Sequence, residues 1–195
     1  PALFRLARDL PGVEPVSVAV HIGSQITRLA PYRDAFLRVR QMVEALAEDG
    51  INLQRVDLGG GLGITYDAEE PPAVADYAAM IADVFQGLDV EFLFEPGRRI
   101  AGLAGIMVTT VISEKDTETK RFVIIDAAMN DLIRPALYQA YHPFYPMRES
   151  GPESGWTPAD IVGPVCESTD QFATARALPA LNPGDKLVIG AAGAY

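Results

Sequence analysis

The chain has 195 residues, 49% of them hydrophobic, enough to bury a core in one full domain or in parts of two and too many for a disordered chain. Sixteen Lys and Arg against twenty-six Asp and Glu leave a net charge of −10, which opposes attraction to nucleic-acid phosphates or to an anionic membrane. No apolar run reaches the ~18 residues of a membrane-spanning helix, no signal-peptide pattern opens the chain, and the single Cys166 can form no intrachain disulfide; a soluble, cytoplasmic protein is expected.

Three apolar runs, Val16 to His21, Arg55 to Leu58 and Val90 to Glu95, read as buried strands. Between them, Tyr32, Phe36, Val39, Val43 and Leu46 keep helical spacing over Pro31 to Asp49, with Pro31 suited to a first turn and Gly50 to a stop. Val74, Tyr77, Ala78, Ile81 and Phe85 repeat the pattern over Pro72 to Gln86, closed by Gly87. The order β-α-β-α-β predicts a parallel sheet or part of a (β/α)₈ barrel. After about residue 105 the texture changes. Ile106 to Ile112, a charged turn over Glu114 to Glu118, and Arg121 to Asp126 predict a hairpin. Gly163 to Phe172 and Lys186 to Ala191 read as further β segments, and Glu149 to Asp160, rich in Gly, Pro and Ser, as a long surface loop. Pro1 in place of a Met, and an apolar run that stops at Tyr195, predict a fragment.

The residues able to carry chemistry sit where the three predicted strands end, which in a parallel barrel is the rim that holds the active site. His21-Ile22-Gly23-Ser24 follows the first strand, Gly59-Gly60-Gly61-Leu62-Gly63 the second, and Glu95-Pro96-Gly97-Arg98 the third. The glycines let the backbone turn and aim several N–H groups at an anion, although a tight βα turn needs the same residues. A dinucleotide fingerprint fails because Ile64 stands where Gly or Ala is required, and no Gly-Lys-Ser/Thr follows to make a Walker loop. His21 can lay a flat imidazole on a ligand ring, act as a base or satisfy rim backbone. Ser24 can bind a phosphate oxygen or sit in a turn. Glu95 can keep a heterocyclic nitrogen protonated or pair with Arg98 or Arg99, and Arg98 offers a fork for a carboxylate or phosphate. Anion cradle, flat ring and nitrogen-facing carboxylate together describe a pyridoxal 5′-phosphate pocket. Downstream, Arg134 and Tyr138 are spaced to share one helical face. Cys166, beside Glu167 and a Gly-Pro turn, fits a loop where a thiol could donate a proton, though a lone cysteine is also a small core residue. No metal site is expected.

The ordered series His-Ile-Gly-Ser-Gln, Asp-Leu-Gly-Gly-Gly-Leu-Gly, Glu-Pro-Gly-Arg, Met-Asn-Asp-Leu-Ile-Arg-Pro-Ala-Leu-Tyr, Gly-Pro-Val-Cys-Glu-Ser and Gly-Ala-Tyr resembles the fold type III pyridoxal-phosphate decarboxylases, most closely those acting on diaminopimelate. The resemblance implies the second half of a (β/α)₈ barrel over residues 1–105 and part of a C-terminal, mostly β domain over residues 106–195. It also implies decarboxylation of meso-2,6-diaminopimelate to L-lysine. In that scheme His21 stacks on the pyridine ring, Ser24 and Gly59, Gly60 and Gly61 hold the phosphate, Glu95 pairs with the pyridine nitrogen, and Pro96 and Gly97 line the cofactor. Arg98, Arg134 and Tyr138 grip substrate carboxylates, Glu167 recognises the distal end of the substrate, and Tyr195 touches cofactor and substrate. Cys166 protonates the carbanion carbon. Cys166 and Glu167 come from the neighbouring subunit, which implies a homodimer with shared sites. Two departures stand out. The family's Schiff-base lysine lies upstream of this sequence, and Lys115, Lys120 and Lys186 sit at no barrel rim, so the 195 residues alone are expected to be inactive. Ala128 replaces a common glycine. Competing readings are a decarboxylase of another basic amino acid (D-ornithine, lysine or carboxynorspermidine) or a non-catalytic paralogue.

Overall fold

The computed structural model describes residues 2–148 and 155–195. They form two compact units, the first comprising residues 2–65 and 69–99 and the second residues 66–68, 100–148 and 155–195. Among the described residues no helix is long and apolar enough to cross a membrane.

The first unit opens with helix α1 (Ala2–Arg8), which buries no residue and is tied down by Arg5 to Asp49 at 2.7 Å. Its apolar residues Leu3 and Leu6 stay exposed. Strands β1 (Ser17–Ala19), β2 (Arg55–Asp57) and β3 (Glu91–Leu93) pair in parallel in the order β1-β2-β3. They are shorter than the runs predicted at these places because the ends of those runs leave the ladder to build loops. Helix α2 (Ala30–Glu48) begins with Pro31 in its first turn and buries Tyr32, Phe36, Val39, Val43 and Leu46. It closes at Gly50, whose φ of 77° lets its N–H reach Ala47 O while Ile51 N–H reaches Leu46 O, the paired bonds of a Schellman stop. Helix α3 (Val74–Val84) buries Tyr77, Met80, Ile81 and Val84. One core results, in which Val56 and Leu58 of the sheet side meet both helices and Tyr32, Phe36, Tyr77 and Phe85 pack ring against ring. Burial pushes the Tyr77 phenol up to about 12.

The chain enters the second unit through the short helix α4 (Gly97–Ala101) and a 3₁₀ turn (Gly102–Ala104). A six-stranded sheet follows in the order β6-β9-β4-β5-β7-β8, formed by β4 (Met107–Asp116), β5 (Arg121–Ile125), β6 (Phe144–Pro146), β7 (Thr157–Val162), β8 (Gln171–Leu178) and β9 (Lys186–Ile189). All neighbours are antiparallel except β5 and β7. Strand β4 serves two partners: Met107 to Thr110 pair with β9, and a bulge between Val111 and Ser113 turns the rest toward β5. Val111, Val123, Ile125, Ile161, Leu178, Leu187 and Ile189 make its core.

Here several expectations are corrected. The first strand of the predicted hairpin runs on to Asp116, and the turn contracts to 117–120, closed by Thr117 N–H to Lys120 O at 2.8 Å. Residues 163–170 are a loop, not a strand. Gly163 N–H donates to Asp170 O and Val165 N–H to the Asp170 carboxylate, so the backbone donors are used locally and no ladder forms. Residues 157–160, expected in a loop, belong to β7. Pro158 is tolerated there because it pairs only with Ala177 of β8, and the β5 ladder starts at Asp160. The remainder of that predicted loop, residues 149–154, lies outside the described residues.

Candidate functional site

In the first unit, three loops leave the same end of the parallel sheet and are bonded to one another. Glu95 N–H donates to Gly59 O at 2.8 Å, and Ile26 N–H donates to Gly61 O at 2.9 Å. Glycine is obligatory at this junction: a Cβ on Gly59 would lie 2.2 Å from Val20 O, one on Gly60 2.1 Å from Glu95 O, and one on Gly61 2.2 Å from Gly23 O. Gly59 and Gly61 also hold φ values of 65° and 95°. The bare backbone of one loop thus lies directly on the backbone of its two neighbours. From beneath, the buried Tyr32 hydroxyl donates to Gly60 O at 3.2 Å, fastening the glycine loop to the helix α2 core.

The candidate side chains are placed by this junction. Gly60 N–H donates to His21 Nδ1 at 3.3 Å, which leaves the ring neutral with its proton on Nε2 and sets its plane. Arg98 of α4 is 7% exposed and donates from Nη2 to Ser24 Oγ at 2.9 Å, so the loop after β1 and the start of α4 meet through side chains as well. Glu95 and Ser24 are exposed. Gly97 N–H turns back onto Glu95 O at 2.8 Å across Pro96, setting the bend that presents Glu95. His21, Ser24, Gly59, Gly60, Gly61, Glu95, Pro96, Gly97 and Arg98 are therefore gathered at one sheet end.

The second unit places its predicted residues separately. Helix α5 (Arg134–Tyr138) carries both Arg134 and Tyr138, but Arg134 is 6% exposed and Tyr138 is 69% exposed. Cys166 and Glu167 are exposed in the 163–170 loop, where Thr169 N–H and the Ser168 hydroxyl donate to the Glu167 carboxylate and hold it below the usual range. Tyr195 is exposed. Lys115 and Lys186 lie on β4 and β9, and Lys120 pairs with Asp160 at 2.6 Å, all in this unit.

Four residues were missed by sequence reasoning. Asp170, 3% exposed, accepts Met129 N–H at 2.7 Å and Val165 N–H at 2.8 Å, tying the loop of Cys166 and Glu167 to the segment that leads into Arg134. Its closeness also explains Gly163, where a Cβ would lie 2.3 Å from Asp170 Oδ2. Asp126 accepts from the Thr109 hydroxyl and Thr110 N–H, both at 2.7 Å, which lowers it to about 2. His142 and Tyr66 both contact Arg134, His142 Nε2 lying 2.8 Å from its Nη1 and the Tyr66 ring centroid 4.6 Å from its Cζ. Only Gly163 beside a later Asp offered a signal, and it is a weak one.

The chain is similar to known proteins in sequence and fold. Residues 34–193 match the family described as pyridoxal-dependent decarboxylase, C-terminal sheet domain. A protein of Pseudomonas fluorescens named diaminopimelate decarboxylase is 48% identical over 97% of this chain and 45% of its own length. The crystal structure of diaminopimelate decarboxylase from Helicobacter pylori complexed with L-lysine superposes with a TM-score of 0.93 at 44% identity, covering 100% of this chain and 48% of that one. A lysine/ornithine decarboxylase from Vibrio vulnificus complexed with cadaverine gives a TM-score of 0.86 at 27% identity, covering 100% of this chain and 52% of that one. The chain spans about half the length of the curated relatives it matches.

Proposed function

This chain belongs to the pyridoxal-dependent decarboxylase family, and from that premise we propose that it carries binding and catalytic residues of an enzyme that converts meso-2,6-diaminopimelate to L-lysine and carbon dioxide. The observation that carries the reading is the gathering of a flat imidazole, a hydroxyl, a glycine cradle, a carboxylate and a buried guanidinium at one end of three parallel strands. The residues fit pyridoxal 5′-phosphate. A cradle that admits no Cβ keeps its amides bare for a phosphate, and Ser24 adds a hydroxyl held by a cation. When bound, the cofactor supplies an electron sink for the pair left as a bond at the amino-acid α-carbon breaks.

The chain's own residues then have distinct tasks. His21, its plane set by Gly60 N–H, covers one face of the cofactor ring. Glu95, as a carboxylate, holds a proton on the ring nitrogen, while Pro96 and Gly97 shape the turn that presents it. Arg98, Arg134 and Tyr138 bind substrate carboxylates, and Glu167 binds the distal ammonium. Tyr195 contacts cofactor and substrate. Cys166 returns a proton to the α-carbon after carbon dioxide leaves. Cys166 and Glu167 are exposed, which supports their donation to the site of a second subunit in a homodimer.

The test is carbon dioxide and lysine release by the full-length enzyme, with meso-2,6-diaminopimelate compared against D-ornithine, lysine and carboxynorspermidine. Equimolar lysine and carbon dioxide from diaminopimelate is the expected result. Preferred turnover of another amino acid overturns the substrate assignment, and absence of both turnover and a borohydride-trapped lysine adduct overturns the decarboxylase itself.

A further inference from the structure

We propose that His142 and Tyr66 are positioning residues that aim Arg134 at a carboxylate of the substrate, an inference that rests on the reading of Arg134 as a carboxylate-binding group. The protonation pattern follows from the partners alone. A guanidinium keeps its protons and can only donate, so His142 Nε2, 2.8 Å from Arg134 Nη1, accepts and carries no hydrogen. The carbonyl of Gly190 can only accept, so His142 Nδ1, 3.0 Å away, holds the ring proton. With both ends assigned, the imidazole is neutral in one tautomer, and at 0% exposure no water competes for either nitrogen.

Tyr66 completes the restraint. Its ring lies under the guanidinium, 4.6 Å from centroid to Cζ, and meets the His142 ring edge to face at 5.2 Å and 75°. Arg134 is therefore gripped along one edge and across one face. Neither of these two partners is negatively charged, so their contribution is to orient the guanidinium. A pre-aimed fork loses less conformational freedom when a carboxylate arrives than an arginine on a mobile side chain. The position of Tyr66 is informative, since residues 66–68 pack with the second unit although the sequence on both sides belongs to the first. That detour delivers an aromatic face to Arg134.

The imidazole's two bonds can be separated by substitution in the full-length enzyme. In His142→Gln the amide oxygen reaches the place of Nε2 and keeps an acceptor for Arg134. In His142→Asn the shorter amide reaches the place of Nδ1, keeping the bond to Gly190 and abandoning Arg134. The expected result is a KM for diaminopimelate raised about 10-fold or more in His142→Asn with kcat within about 3-fold of wild type, and largely restored in His142→Gln. Equal KM values in the two variants, with cofactor absorbance and melting temperature unchanged, overturn the proposal. Should His142→Asn fail to fold, Tyr66→Leu takes its place with a KM raised about 3-fold to 5-fold, and an unchanged KM there has the same meaning. Arg134→Ala separates the two levels of inference. If it leaves KM unaltered, the carboxylate-binding reading fails; if it raises KM while His142→Asn does not, only the positioning role fails.

Discussion

The glycine junction of the first unit and the arginine cluster of the second hold candidate site residues by opposite means. At residues 59–61 the backbone does the holding: carbonyls of neighbouring loops occupy the space where side chains would stand. Around Arg134 the holding is by side chains, with an imidazole, an aromatic face and two buried or paired carboxylates fixing one helix turn and the loops beside it. Backbone junctions tolerate no addition, whereas side-chain clusters tolerate no subtraction. The difference predicts which substitutions damage each region.

The largest effect is chemical. Glu95→Gln keeps the shape of the first region but weakens its hold on a ring-nitrogen proton, and kcat of the full-length enzyme should fall about 100-fold or more; near-wild-type turnover would remove Glu95 from the scheme. Next comes addition at the junction. Gly59→Ala combines a φ of 65° with a Cβ 2.2 Å from Val20 O and should cost about 3 kcal/mol or more in urea unfolding. Gly87→Ala likewise meets a positive φ, of 84°, but open space, and should cost only about 1 kcal/mol. Equal losses at the two positions would dissolve the distinction between backbone contact and turn conformation.

Subtraction in the second unit comes after. Asp170→Ala strands the N–H groups of Met129 and Val165 and should cost about 2 kcal/mol, with faster proteolysis in the Cys166 loop. A loss under about 0.5 kcal/mol would mean that the loop is held by its backbone after all. The smallest effect is at Asp126. The Thr109 hydroxyl and the Thr110 amide hold its carboxyl at about 2, below the ordinary 3.8. A depressed value stabilises the fold above the ordinary value, and that contribution disappears as the pH falls from about 4 through about 2. Because Asp126 is exposed, the contribution is about 1 kcal/mol at most. Stability followed by circular dichroism across that range should decline less in Asp126→Asn than in the wild type.

The amino-acid sequence by itself determined the helices α2 and α3, the buried stripe, proline entry and glycine exit of α2, and the clustering of His21, the glycines and Glu95 behind three strands, whereas in α3 Val74 and Ala78 stay exposed and Met80 and Val84 are buried instead. Each is a local pattern, set by helical or strand period and by turn residues a few positions apart. Tertiary structure alone decided that the glycines are needed because neighbouring backbones occupy their side-chain space, that 163–170 is a loop tied by Asp170, and that Pro158 sits inside a strand. It alone brought Tyr66, Arg134, His142 and Gly190 together. Those partners are scattered along the chain, and hydrogen bonds between groups so far apart in sequence leave no periodicity to read. They arise only once the cores have closed and every buried donor has had to find an acceptor.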